Sequence, residues 1–305
     1  MQRREFLKAT VAGLIIPGGS PVRDYGWLPP VLPSIQPGYL DTFPQAEDSG
    51  KGKIVLLYKY LEAILKKSLP AHKQVGPDCT SQAGGLGVDF VQAIQNLLKR
   101  DRWINKTATE VLHIGGRQTI GKRSSGGITI SELLTFLTKY GTIFRRKYQN
   151  YNFSKYDYKN CKKLEKTGIP KWLLDECKKC KVIKHYKVST FNEARDAIRN
   201  LHPVVVGSSV GFENTKRDKE GFAKRNGKWF HAWLLIAVDD KYKRPGGCLM
   251  SSWGDTFFKG PRRHKQPKGS IWVDKDILNE MLNKYGDSYA LCRINGVTPR
   301  EYKLW

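Results

Sequence analysis

The chain has 305 residues, 53 of them Lys or Arg and 28 Asp or Glu, for a formal net charge of +25. A 40% hydrophobic fraction is enough for a real core, and six cysteines are too few for a disulfide-built scaffold at this length. The charge favours acidic polymers as partners, but no nucleic-acid motif accompanies it, so no specific nucleic-acid role is assigned.

Residues 1–20 read as a targeting segment rather than a folded element. Arg3-Arg4-Glu5-Phe6-Leu7-Lys8 has the form of a twin-arginine export signal. The apolar run from Ala9 to Ile16 that follows is about the length of a signal core. It is too short to cross a bilayer, and no other stretch is a transmembrane candidate. The expected location is therefore periplasmic or extracellular, with a cytoplasmic or virion-associated protein as the alternative. Residues 21–50 form a Pro-rich stretch, read as an extended arm wrapping the domain or as a linker. Residues 51–305 are read as the domain.

Within that domain Lys53 to Lys67 is predicted as a helix, with Ile54, Leu57, Leu61, Ile64 and Leu65 on one stripe and Pro70 as its stop. The turn-forming run Gly76-Pro77-Asp78 then leads into Cys79. Ala83, Leu86, Phe90, Ile94 and Leu97 follow at helical spacing. This puts a thiol at a helix N-terminus, where unpaired N–H groups and the helix dipole favour a thiolate. Gln74 lies five residues upstream, within reach of an oxyanion forming beside that sulfur. After a Gly/Ser loop ending in Gly126-Gly127, Ile130 to Tyr140 is a second amphipathic helix stopped by Gly141.

Residues 145–163 interleave Lys, Arg and Tyr, read as a solvated surface loop with its tyrosines laid against the domain. Cys177 and Cys180 form a CKKC with no matching second pair, so neither a metal nor another cofactor is assigned. With Cys161 they could form one disulfide in an oxidising compartment. Thr190 and Glu193 make a capping box for a helix running to Asn200. From Val204 the pattern changes to strands: 204–206, 232–238, 248–252 and 270–273. A helical first half and a strand-rich second half give an α+β protein with one lobe of each kind.

Six histidines are available to partner Cys79. His72 and His264 read as surface residues, because each sits beside basic neighbours. His231 opens the apolar run HAWLLIAVDD, which places its ring at the mouth of a buried strand. Seventeen residues after His231 comes CLMSSWGD, a neighbouring strand carrying polar residues and Trp253, which is what orienting an imidazole requires.

In these strings, from Gln74 to Leu291, the chain resembles the papain-like cysteine peptidases in their divergent bacterial and phage form. The resemblance implies a papain-like two-lobe fold, with a helical lobe carrying the cysteine helix and a β lobe carrying the histidine. It implies Cys79 as nucleophile, His231 as its base, Gln74 at the oxyanion hole and Ser251 in the position of the family's orienting asparagine. Gly126 and Gly127 resemble the glycine pair that binds the substrate backbone, and Trp253 the tryptophan that shields the histidine. The implied activity is hydrolysis of peptide or protein substrates through an acyl-enzyme. The alternative is a papain-fold binding or structural protein, wall- or virion-associated, that has lost turnover. Three departures stand out: Thr80 replaces the family's tryptophan, the Gln-to-Cys spacing is five rather than six, and serine replaces asparagine at 251. No long helical inhibitory segment is read before Cys79.

Overall fold

The computed structural model describes residues 23–24, 26–31, 36–99, 105–119, 121 and 126–294. The expected targeting segment, Arg3 and Arg4 included, lies outside them. Six strands form the main antiparallel path: Val182–Lys187 (β1), Val204–Arg217 (β2), Ala223–Asp239 (β3), Gly246–Met250 (β4), Ser270–Asp274 (β5) and Ser288–Ile294 (β6). Their spatial order is β1-β6-β2-β3-β4-β5. The last strand thus inserts beside the first, which ties the C-terminal part of the sheet to its start. Two short strands join β3 from outside this path, Arg23–Asp24 in parallel and Ile54–Leu56 antiparallel.

Cys79–Lys99, 21 residues long, is the helix on which the two lobes meet. Its alternating small and apolar residues allow close packing on several sides. At Gly87 a β-carbon would lie 2.7 Å from a methyl of Leu291 and 3.3 Å from one of Leu234, so the helix backbone presses directly on the sheet. The helices Thr109–Thr119 and Ile130–Lys139 pack against the other side of this lobe. The second is capped as its sequence dictates: Thr129 accepts from the Glu132 N–H, and the Glu132 carboxylate accepts from the Thr129 N–H. Thr190 and Glu193 do the same for Phe191–Arg199.

Several elements differ from their sequence reading. Residues 53–57 are not helical. Ile54–Leu56 pair with Ala237–Asp239, and the helix begins only at Tyr58. An edge of β3 offers unpaired backbone groups there, and satisfying them outweighs a helical stripe that Ile54 and Leu57 fit equally well. The strands read at 204–206 and 232–238 extend into a hairpin of 14 and 17 residues, whose outer half is charged and exposed. The 145–163 segment does lay its aromatic residues inward: Phe153 is fully buried, and Tyr148 and Tyr151 nearly so. Arg145 is not a solvated cation. Its Nη1 lies 2.8 and 2.7 Å from the two carboxylate oxygens of the buried Glu110. All six cysteines are free thiols and buried. Among the described residues no helix is long and apolar enough to cross a membrane.

Candidate active site

Cys79 is the first residue of its helix and has no solvent exposure. The backbone N–H of Ala232 donates to its Sγ at 3.4 Å. Ala232 follows His231 on β3, so the helix start carrying Cys79 abuts the strand that carries His231. The His231 ring is also fully buried. It stacks on Trp253 with ring centroids 4.0 Å apart and meets Trp233 edge-on at 4.8 Å. Burial pushes the His231 imidazole well below its ordinary pKa, because a charged ring loses water there.

Ser251 is placed on the turn that delivers Trp253 to this ring. Its hydroxyl donates to the Gly269 carbonyl at 2.9 Å and accepts from the Trp253 N–H at 3.4 Å. Gln74 sits on the other side of the same turn. Its backbone N–H donates to the Ser252 carbonyl at 2.8 Å, its Oε1 accepts from the Ser252 hydroxyl, and its Nε2 donates to the Gly76 carbonyl at 2.9 Å. The loop before the nucleophile is therefore bonded to the serine-rich turn, which fixes the spacing of Gln74, Cys79 and Trp253.

Two residues close to Cys79 in the chain, to which the sequence reading gave no site role, are Asp78 and Gln82. Asp78, buried directly before Cys79, accepts from Gln82 Nε2 and from the Tyr156 hydroxyl, each at 2.8 Å. Burial pushes its carboxyl up to about 6. Gln82 in turn meets His72 Nδ1 at 2.9 Å, so His72 is half-buried and engaged rather than a surface residue. His264 is likewise bonded, Nε2 to Asp239 Oδ2 at 2.9 Å. Thr80, the buried residue in the place of the family's tryptophan, donates to the Ile128 carbonyl at 3.0 Å and reaches the Gly26 carbonyl at 3.4 Å.

That second contact belongs to the N-terminal arm, which crosses the site. Arg23–Asp24 run beside Trp229–Phe230, immediately before His231. The Ile128 N–H then donates to the Gly26 carbonyl at 3.0 Å, and the Leu28 N–H to the Ile128 carbonyl at 3.2 Å. Gly26 has φ +104°, and a β-carbon on it would lie 1.9 Å from the Pro77 carbonyl oxygen, so only glycine fits against the nucleophile's turn. A β-carbon on Gly127 would lie 2.7 Å from the Gly26 oxygen, and one on Gly126 2.4 Å from the Pro77 ring. The Gly126-Gly127 pair thus lies beside the cysteine turn and the arm. The backbone groups next to it, on Ile128, are occupied by the chain's own arm.

This arrangement of helices and sheet has counterparts among solved structures. Xylellain, a cysteine protease from Xylella fastidiosa, superposes with a TM-score of 0.60 at 14% identity, covering 88% of this chain and 96% of that one. The fold is papain-like. A structure of the cysteine protease and lectin-like domains of Cwp84, a surface-layer-associated protein of Clostridium difficile, aligns with a TM-score of 0.50 at 16% identity. That alignment covers 84% of this chain and 59% of the other. Neither a protein-family model nor a curated protein sequence matches the chain. At these identities the likeness carries the fold, and chemistry has to be argued from the residues.

Proposed function

We propose that the protein is a cysteine peptidase of the papain-like type, described here with its cleft filled by its own residues 26–28. The observation that supports this most is the contact between the Ala232 N–H and Cys79 Sγ, which sets the thiol beside the residue that follows His231. His231 takes the thiol proton and Cys79 attacks the peptide carbonyl carbon. The oxyanion is held by the Cys79 backbone N–H and the Gln74 amide. His231 then protonates the departing amine, water opens the thioester, and its proton returns through His231 to the sulfur. Gly127 leaves room for a substrate strand beside Ile128, where Gly26 now lies, Gly126 lets its loop close on Pro77, and Trp253 shields the imidazole. Ser251 acts by holding the 251–253 turn against Gly269, and through that turn the Trp253 ring on His231.

Export through the Arg3-Arg4 signal, and attraction of the basic surface to acidic polymers, belong to the same reading. The test is hydrolysis of quenched fluorescent peptides by the full chain, by Trp27→Ala, which loosens the arm, and by Cys79→Ala. Turnover is expected to rise in Trp27→Ala and to vanish when Cys79→Ala is added. A second reading, a papain fold without turnover, draws on Ser251, whose proton goes to the Gly269 carbonyl. It predicts no hydrolysis in any of the three.

A further inference from the structure

The Tyr158–Thr167 helix buries Cys161 and Leu164, packs on the Thr109–Thr119 helix, and carries Lys159, Lys162, Lys163 and Lys166 on its exposed side. Their spacing of i, i+3, i+4 and i+7 makes one continuous stripe, with successive turns about 5.4 Å apart. Like charges at these spacings destabilise a helix. Lys159 also sits in the first turn, where the helix dipole disfavours a cation. Neutral residues would relieve the repulsion, so folding does not account for the stripe.

The neighbouring acids do not neutralise it. Glu165, the single acidic residue of the helix, has its Oε1 2.5 Å from Arg117 Nη1. Asp157 caps the helix, its Oδ1 accepting from the Lys159 N–H at 2.9 Å. Further along the surface Asp175 pairs with Lys178, and Glu176 with Lys179 and Arg146. Among the described residues none of the four stripe lysines has an ion-pair partner. Lys163 is held over Tyr151, its Nζ 4.3 Å from the ring centroid. The stripe also adjoins the candidate site. Tyr158, which opens the helix, rests on Gly76, where a β-carbon would lie 2.0 Å from its ring. The Tyr156 hydroxyl donates to Asp78 at 2.8 Å and accepts from the Val75 N–H at 3.3 Å. A polymer held on the lysines therefore lies beside the turn that carries Cys79.

We propose that this lysine stripe is a docking surface for a flexible chain polymer with one phosphate on each unit. Lysines meet phosphate as point charges, which suits a mobile chain, whereas a fixed bidentate partner calls for arginine. The stripe contains no arginine, and no aromatic ring of the helix is exposed among the lysines to stack a base. Nor does an apolar side chain stand beside them to enter a bilayer, since Leu164 is fully buried. The proposal rests on the acidic-polymer part of the reading above, to which it gives a place, and is independent of turnover.

The probe is fluorescently labelled long-chain inorganic polyphosphate, titrated with the full chain between about 50 and 200 mM salt. The variant combining Lys159→Gln, Lys162→Gln, Lys163→Gln and Lys166→Gln should bind at least about tenfold more weakly, with its salt slope flattened by about 3. A control removes the same charge from exposed positions of the β2–β3 hairpin, Lys216→Gln, Lys219→Gln, Lys224→Gln and Lys228→Gln. It should lose less than about threefold, because charges remote from the polymer are screened. If the helix variant does not fold, Lys162→Gln with Lys166→Gln leaves Lys163 on Tyr151 and should give about half the slope change. Equal losses in the helix and hairpin variants would leave a general attraction standing and overturn the docking surface. No binding by the unaltered chain at the lower salt removes both. Tighter binding of a single-stranded oligonucleotide of equal phosphate number, or of phosphatidylglycerol vesicles, overturns the choice of partner.

Discussion

The Ala232 N–H lies 3.4 Å from the sulfur of Cys79, joining the first residue of a 21-residue helix to the middle of the longest strand in the sheet. The peptidase reading of this chain depends on that contact, because it sets the nucleophile beside the strand that carries His231. The contact is also fully enclosed, with Cys79 and His231 both without exposure.

Enclosure gives the first expectation. In the full chain Cys79 should be alkylated by iodoacetamide slowly, since reagent reaches it only when residues 26–28 lift. Trp27→Ala removes the 2.7 Å hydrogen bond from the indole Nε1–H to Asp287 and the largest buried side chain of the arm. It should speed the reaction by about tenfold or more, consistent with the few kcal/mol that an aromatic-to-Ala truncation costs. Mass mapping of the six cysteines reads this directly, and an unchanged rate would show that the arm does not gate the sulfur.

Ser251 should matter twice. Ser251→Ala deletes the 2.9 Å bond to Gly269 and is expected to cost about 1 kcal/mol in denaturant unfolding. Loosening of the 251–253 turn should also lower kcat/KM roughly tenfold, or ~1.4 kcal/mol of transition-state stabilisation. Loss of stability with full activity would confine Ser251 to a structural role.

A third expectation concerns pH. Asp89 is fully buried, its Oδ1 accepts from the N–H and the hydroxyl of Thr107, and burial pushes its carboxyl up to about 7 from 3.8. Because the folded pKa lies above the unfolded one, the folded state binds the proton more tightly. The stability this confers is complete below about pH 4 and is lost as pH rises through 7. Asp89→Asn keeps the acceptor and removes the charge, so it should raise stability at pH 8, by up to roughly 4 kcal/mol for a three-unit shift. At pH 4 it should change little. Melting curves at the two pH values test this, and an equal effect at both would rule out the buried charge.

Replacing Arg3 and Arg4 by Lys should trap the protein in the cytoplasm of a host with a twin-arginine pathway, since that signal is read as an export address. Fractionation that finds it exported regardless would point to another route.

Much of the site could be read from the chain because its cues are local. Cys79 follows a turn and opens a helical period, His231 opens an apolar strand, and Thr190 with Glu193 writes a cap into four residues. What could not be read depends on contacts between distant segments. Nothing near Trp27 announces Asp287, and nothing near Asp78 announces Tyr156. The short strand Ile54–Leu56 exists only because β3 offers an edge. The outer half of the β2–β3 hairpin escaped notice because exposed strands there carry Lys, Arg and Asn in place of an apolar alternation. Arg145 reads as surface charge until Glu110, 35 residues earlier, is seen buried against it.

The central claim is a Cys79–His231 pair that generates a thiolate near neutral pH once the cleft opens. Burial under the arm disfavours the imidazolium, and water admitted by Trp27→Ala removes that penalty. The most direct measurement is the rate of Cys79 alkylation against pH in full-length Trp27→Ala, with and without His231→Ala. The account predicts a substantial rate retained at pH ~6, far below the ~8.5 of a free thiol, and its loss when His231 is removed. A profile that follows an ordinary thiol, and is indifferent to His231→Ala, would contradict it.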